Sequence, residues 1–271
     1  MNAIFKSSTA KPPANSGTTA SSPAYIISGR VLIVLAICLA WEIAAITGYV
    51  DERFVGRPSQ VLNALGRQIA DNSIWPHLAS TMMATLLAFT LGSLLGIIAG
   101  LTLAAFPTVD AMLNPVISGL NSIPRVALAP LFILWFGIGV EAKTVAGISL
   151  VFFILLITTR SGLKNADPDL LVMSRMMCAS TSQTFLKVVL PISLPSIFSG
   201  LQLAVTYSLL GVVVAEMIAS QNGLGVIVAQ YTQTFAINET FSVLLILGVL
   251  STTLAASVAA VERYVLSWQT P

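Results

Sequence analysis

Long runs almost free of charge constrain this sequence more than any other feature. Six of them, approximately Val31 to Tyr49, Thr81 to Phe106, Val116 to Phe136, Lys143 to Thr159, Ile197 to Ile218 and Phe241 to Val261, approach the roughly 20 apolar residues that a helix needs to cross a hydrocarbon layer about 30 Å thick. Water is absent from that layer, so a crossing segment must satisfy its own backbone amides, and a helix does so unaided. The rest of the composition agrees. Of the 271 residues, 56% are hydrophobic and 9% charged, and the mean hydropathy is +0.89. A soluble domain carries about a quarter charged residues, so the polar surface that would cover a water-soluble globule is missing. The sequence predicts an all-α, polytopic membrane protein with about six transmembrane helices in the lipid bilayer, the third being the least regular.

Residues 1–29 are rich in Ser, Thr, Ala and Pro and lack the bulky apolar side chains that offset chain entropy, which predicts a disordered tail. Residues 30–266 are expected to form one membrane domain and 267–271 a short C-terminal tail. Lys6, Lys11 and Arg30 before an apolar run superficially suggest a signal peptide. That run is long, contains Trp41 and Glu42, and has no clear small-residue cleavage site after it, so it is read as a retained first span. A net charge of +2 with scattered basic residues gives no nucleic-acid surface. Two cysteines, Cys38 and Cys178, build no disulfide framework and are read as free thiols.

Positive residues favour the cytoplasmic side of short loops. Lys6, Lys11, Arg30, Arg160, Lys164, Arg175, Lys187 and Arg263 fall on one side of the expected topology, and Arg53, Arg57, Arg67 and Lys143 on the other. The loop from Ala219 to Thr240 has no Lys or Arg. Both termini and the loop between spans four and five are therefore expected in the cytoplasm.

Within the spans, Ala88, Gly92, Gly96, Gly100 and Ala104 recur every fourth residue, which places small side chains on one helix face and predicts a close helix seam. Pro115, Pro124 and Pro130 punctuate the third span and free backbone carbonyls that need other partners. Asn121, Ser122 and Arg125 lie in that stretch. An ionisable group in a span points to a cavity or a protein partner, so Arg125 either lines the cytoplasmic part of a pathway that favours an anion or snorkels to headgroups. Glu216, near the outer end of span five, either pairs with a cation in the bundle or helps form an outer gate. Glu42 is expected at a helix seam and His77 at the outer interface. No Cys or His near His77 completes a metal-coordination set.

The polar segment between spans four and five reads "DPDLLVMSRMMCASTSQTFLKVVLPISLPSIFSG", from Asp167 to Gly200. Asp167-Pro168 is a helix start signal, and a helix is expected from Pro168 to about Met177. Ser180 and Gln183 have capping-box spacing and should begin a second helix towards Leu190. Pro191 and Pro195 are expected to interrupt that helix before the next span. Leu170, Leu171, Met173, Met176 and Met177 give the first helix a deformable apolar surface. It suits either a partner groove or the lipid headgroup layer.

The stretch "SRMMCASTSQTFLKVVLPISLPSIFSGL" resembles the cytoplasmic loop motif of binding-protein-dependent ABC importer permeases, which runs Glu-Ala-Ala, three residues, Gly, then an apolar stretch ending in Leu-Pro with a second Pro and a Gly beyond. Leu190, Pro191, Pro195 and Gly200 match the end of that motif, and Phe185 and Val189 its apolar stretch. The resemblance continues through "NSIPRVALAPLFILWFGIG" and "AEMIASQNGLG" and points to the sulfonate, nitrate and taurine-type importers. Two positions depart from the pattern: Val172 stands at the acidic opening position and Cys178 at the Gly. A Gly there suits a positive backbone angle that costs Cys more, so the turn is expected to be displaced or the contact altered.

The resemblance implies a type I ABC importer architecture of the MetI-like kind, in the cytoplasmic (inner) membrane of a bacterium. It implies a coupling loop over residues 160–195 that fits a groove on a separate ABC ATPase subunit, with Arg175, Cys178, Ala179, Ser180, Phe185, Leu190 and Pro191 at or near the contact. It also implies a second permease subunit, taken as an identical copy, and an extracytoplasmic substrate-binding protein. Asn121, Ser122, Arg125 and Glu216 are the candidate translocation-pathway residues. The chain lacks the Gly-x-x-x-x-Gly-Lys-Ser/Thr loop that cradles ATP phosphates. No cofactor is expected on this chain, ATP is used by the partner, and no catalytic or metal-binding residue is assigned. A gradient-driven secondary transporter, with Glu42 or Glu216 as ion relays, is the alternative, and its usual internal repeats are not found. An intramembrane enzyme would need a concentrated set of catalytic side chains that the sequence does not offer.

Overall fold

The computed structural model of the protein describes residues 23–165 and 168–267, and the regular elements within them are helical. Five helices are long and apolar enough to cross a membrane, and a bent pair makes a sixth crossing if counted as one span. The first, α1 (Pro23–Ile46), begins inside the stretch expected to be a disordered tail. Proline suits a first helical turn, where its missing N–H has no intrahelical partner to lose. Lys6 and Lys11 lie outside the described residues, as does Asp167, the expected cap of the loop helix.

Two elements outside the six expected spans follow: the single turn α2 (Glu52–Val55) and the amphipathic α3 (Pro58–Ala70). The second span is α4 (Trp75–Ala105), longer than its apolar run. The third expected span is not one helix. It consists of α5 (Pro107–Ser122), a 3₁₀ turn (Arg125–Leu128) and α6 (Ala129–Phe136), bent by 78° at the break. The cause is local. A residue before proline is pushed out of the helical region, and Ile123, which precedes Pro124, is extended at φ −71 and ψ 129. Pro115, with no such break, is accommodated inside α5.

The fourth span, α7 (Val140–Lys164), leads through the loop to α8 (Pro168–Met176) and α9 (Thr181–Thr184). A π-helical turn (Phe185–Val189) then joins α9 to α10 (Leu190–Ile218) without a break. This corrects the expectation that Pro191 and Pro195 interrupt the helix. The wide turn closes with the Leu190 N–H donating to the Phe185 carbonyl, five residues back. That extra residue relaxes the crowding that a proline ring makes against the preceding turn. Beyond α10, α11 (Leu224–Gln233) lies within the segment taken as a loop, and α12 (Ile237–Val265) ends the described chain.

The core is built on α4, α7 and α10. The small-residue stripe of α4 is a seam, as its spacing predicts. A Cβ added to Gly92, Gly96 or Gly100 would come within 2.8 Å of Val151, 2.6 Å of the Phe152 carbonyl or 2.8 Å of Thr159, respectively. Ala88 faces Gly147 in the same series. Partners that advance together along both helices mean that α4 and α7 run in the same direction. Helix α10 runs against them: Gly162 of α7 meets Ser196, whereas Gly147 meets Ser208 and Val212. Val151, Leu155, Ile197 and Ala204 are buried where α7 meets α10. A second apolar cluster, with Ile74, Leu209, Leu224, Ile227, Val228 and Val243, fixes α11 and α12 to one end of the bundle. That end, which also carries α2 and α3, is the platform end; the other carries α8 and α9 and is the loop end.

Candidate functional site

At the loop end, two helices are joined by a turn that the sequence specifies closely. Helix α8 ends with the Cys178 N–H donating to the Arg175 carbonyl at 2.9 Å and the Ala179 N–H donating to the Ser174 carbonyl at 3.1 Å. These two bonds, with Cys178 at φ +55, form a Schellman cap whose left-handed residue is a cysteine. Cys178 thus takes the positive angle that a glycine would suit. Ser180 then caps α9. Its Oγ accepts from the Gln183 N–H at 3.3 Å, while Gln183 Oε1 accepts from the Ser180 N–H at 2.9 Å. Thr184 Oγ1 donates to Ser174 Oγ at 3.3 Å, tying the second helix to the first.

This frame presents apolar side chains outward. Met176 and Met177 are each 79% exposed, and Val172, Met173 and Leu186 are more than half exposed. Arg175, Cys178 and Ser180 are exposed and Ala179 half-buried, so these four sequence-derived residues meet at the turn. Phe185, Leu190 and Pro191 are half-buried and lie further on, where the π turn enters the bundle. Cys38 and Cys178 are both free and exposed.

The candidate pathway residues fall in two places. Asn121, Ser122 and Arg125 cluster at the kink between α5 and the 3₁₀ turn. There Arg125 Nη2 donates to Asn121 Oδ1 at 2.6 Å, and the guanidinium lies 4.1 Å over the Phe153 ring of α7. Ser122 Oγ donates to the Ser118 carbonyl at 2.9 Å. Glu216 is not part of this group. At the platform end it is 1% exposed, its Oε1 accepting from Lys143 Nζ at 2.8 Å and its Oε2 from the Gly225 N–H at 3.0 Å. Thr81 Oγ1 sits 2.9 and 3.0 Å from its two oxygens and accepts from the Leu224 N–H at 2.8 Å. Lys143 also donates to Ser80 Oγ at 2.7 Å and to the Asn222 carbonyl at 2.9 Å.

Glu216 thus pairs with a cation inside the bundle, one of the two roles open to it from sequence, and Lys143 is no surface charge. The pair joins α4, α7 and α10 to the turn before α11. Gly223 completes the fit: at φ +147, a Cβ there would come within 2.1 Å of the Glu216 carboxylate. His77 Nδ1, half-buried, accepts from the Gly223 N–H at 3.1 Å, so the histidine expected at an interface helps hold that turn. Glu42 accepts from the Ser59 N–H at 3.0 Å and Ser59 Oγ at 2.8 Å, an α1–α3 seam.

Sequence reasoning passed over Asp110, the other buried acid among the described residues. Arg160 approaches it with Nε at 2.6 Å from Oδ1 and Nη2 at 3.0 Å from Oδ2, and Lys164 Nζ contacts Oδ2. Arg160 Nη1 also donates to Asn114 Oδ1 at 2.8 Å. An isolated acid four residues after an interhelical break, opposite a Lys/Arg pair at spacing four, is the signal that could have found this cluster. Among the described residues, no group of three or more His, Cys, Asp or Glu is placed to hold a metal ion.

Comparison with known proteins bears on this arrangement. Residues 92–268 match the profile of the family described as binding-protein-dependent transport system inner membrane component. The putative aliphatic sulfonates transport permease protein SsuC of Escherichia coli is 33% identical over 235 residues, covering 86% of this chain and 89% of that protein. SsuC of Bacillus subtilis is 28% identical over 88% of this chain and 87% of its own length. The taurine transport system permease protein TauC of Escherichia coli is 27% identical over 89% of this chain and 88% of its own length. Among solved structures, the MetNI methionine ABC transporter in an inward-facing conformation superposes with a TM-score of 0.55 at 22% identity, covering 71% of this chain and 94% of that one. An amino acid ABC transporter with histidines gives 0.58 at 18% identity, over 74% and 97%. These two likenesses establish the fold.

Proposed function

The chain belongs to the family of binding-protein-dependent transport system inner membrane components and is a permease subunit of an ABC importer; from that premise we propose that it conducts a small organic or inorganic anion, such as a sulfonate, taurine or nitrate, under the drive of a separate ATPase. The observation that carries the coupling half of this reading is the loop end. A capped helix–turn–helix there holds Met173, Met176 and Met177 outward. Adaptable apolar side chains on a rigid frame suit a groove on a partner. In this reading the loop of residues 160–195 is the coupling element of a permease domain spanning residues 30–266. Arg175, Cys178, Ala179 and Ser180 touch the ATPase, and Phe185, Leu190 and Pro191 pass the displacement into α10.

The permease works as a pair of identical chains in the bacterial inner membrane. Both termini and the loop lie in the cytoplasm, and the platform end meets an extracytoplasmic binding protein. ATP is consumed by the partner, and this chain carries no cofactor. The anion assignment is supported by the sulfonate and taurine relatives and by Arg125, whose guanidinium at the kink is the positive group on the candidate pathway with Asn121 and Ser122. Glu216 serves this pathway from a distance, by fixing the turn that closes the platform end.

The test is uptake by proteoliposomes holding the permease, its ATPase and its binding protein. ATP-dependent accumulation of labelled taurine, ethanesulfonate or nitrate, and none of a cationic amine of similar size, is the expected result. Uptake driven by an ion gradient without ATP, or preference for the cation, would refute the proposal.

A further inference from the structure

Helix α5 is attached to the bundle in an unusual way. Of its 16 residues only Asp110 is buried, at 3% exposure, while Met112, Leu113, Val116 and Leu120 point outward, with Met112 73% exposed. A membrane helix is ordinarily held by close packing of small or apolar side chains. Here the one inserted side chain is a carboxylate, and it is gripped by Arg160 and Lys164 from the last two turns of α7. The chain leaves α7 at Asn165 and enters the loop that leads to α8. At its other end α5 stops at the kink, where Arg125 stacks on Phe153 of the same α7.

We infer that Asp110 is the positioning residue that carries movement of the loop to α5, by locking the first turn of that helix to the end of α7 so that the arm pivots at the kink between Ser122 and Arg125. The inference rests on the loop being the element that the ATPase displaces. A rigid connection suits the task better than a greasy one. An apolar contact lets helices slide, whereas a carboxylate held between two cations, with a charge-assisted hydrogen bond from Arg160 Nη2 to Oδ2 and an ion-pair contact from Lys164, fixes the distance between the helices. Removing the carboxylate leaves Lys164 without its acid and Arg160 held to α5 through Asn114 Oδ1. Asp110 touches neither the proposed ATPase contact nor the pathway residues, so its loss should disconnect the two.

The experiment places nitroxide labels in the assembled complex, with Cys38 replaced by Ser and Cys178, which the proposed ATPase contact covers, left in place; a sample without added cysteines sets the background. One pair, Gly119→Cys with Gly66→Cys, reports α5 against α3; both glycines have open space around them. The other pair, Lys187→Cys with Gly66→Cys, reports the loop. In the otherwise wild-type protein both distances should shift when ATP and vanadate trap the ATPase. In Asp110→Asn the loop pair should shift as before and the α5 pair should stay in place. An α5 shift in Asp110→Asn equal to that of the wild type overturns the inference and leaves the coupling loop standing. A loop pair that does not move in the wild type overturns the coupling reading, and this inference with it. If Asp110→Asn fails to assemble, Lys164→Met decides, because it keeps the Arg160 half of the grip. A reduced α5 shift at full loop shift supports the inference, and an unreduced one overturns it.

Discussion

Replacing Cys178 by glycine should tighten the loop end, and the structure sets the size of the effect. Cys178 sits at φ +55, where the amides of Cys178 and Ala179 close the cap onto Arg175 and Ser174. The left-handed conformation costs an L-residue roughly 1–2 kcal/mol. Glycine avoids that strain but loses about 0.5–1 kcal/mol more conformational freedom on ordering. The difference leaves a net stabilisation of about 0.5–1 kcal/mol, which slows local opening by about two- to fivefold. Hydrogen exchange on the membrane-reconstituted protein, followed in peptides spanning residues 173–184, reads this directly. Cys178→Val supplies the opposite perturbation, since a β-branched residue fits positive φ poorly, and those amides should then exchange faster than in the wild type. Unchanged exchange in both variants would refute the assignment of a strained left-handed cap at this position.

Three further outcomes are expected. Lys143→Met or Glu216→Gln alone should lower thermal stability in detergent by about 3–5 kcal/mol, because each strands a buried partner, while the double variant should recover part of that loss. A thermodynamic cycle in which the two losses simply add would contradict the pairing. Gly96→Ala places a methyl group 2.6 Å from the Phe152 carbonyl and 2.7 Å from Leu155, so α4 and α7 must part, at a cost of about 1–3 kcal/mol in the same assay. Ser180→Ala removes the capping-box acceptor of the Gln183 N–H and should cost about 1 kcal/mol of local stability, seen as faster exchange at residues 181–184.

The features that were legible in the sequence are those written in periodicity or in cap chemistry. The small-residue stripe of α4 specifies the α4–α7 seam because backbone approach depends on Gly and Ala at four-residue spacing. Ser180 and Gln183 specify a capping box because both partners lie within one turn. The left-handed angle at Cys178 was expected only through the family glycine, since a cysteine gives no sign of positive φ. Other features depend on residues far apart in the chain. Lys143 resembles a surface charge until Glu216, Ser80 and Asn222 surround it. Asp110 resembles a loop acid until the ends of α5 and α7 meet. The break at Ile123 was foreshadowed by Pro124, yet a run of apolar residues on both sides suggested one continuous span. The reverse holds for Pro191, where the π turn that keeps the helix whole leaves no mark in the local sequence.

The most direct test of the account is ATP hydrolysis by the reconstituted permease with its ATPase and binding protein, comparing the wild type with Ala179→Glu. Ala179 donates to the Ser174 carbonyl through its backbone, which the substitution retains, and its side chain lies at the turn proposed to enter the ATPase. The account predicts that binding-protein-stimulated hydrolysis collapses in a variant that still folds and inserts. Stimulated hydrolysis at the wild-type rate, with the glutamate in place, would contradict the loop as the point where the motor grips this chain.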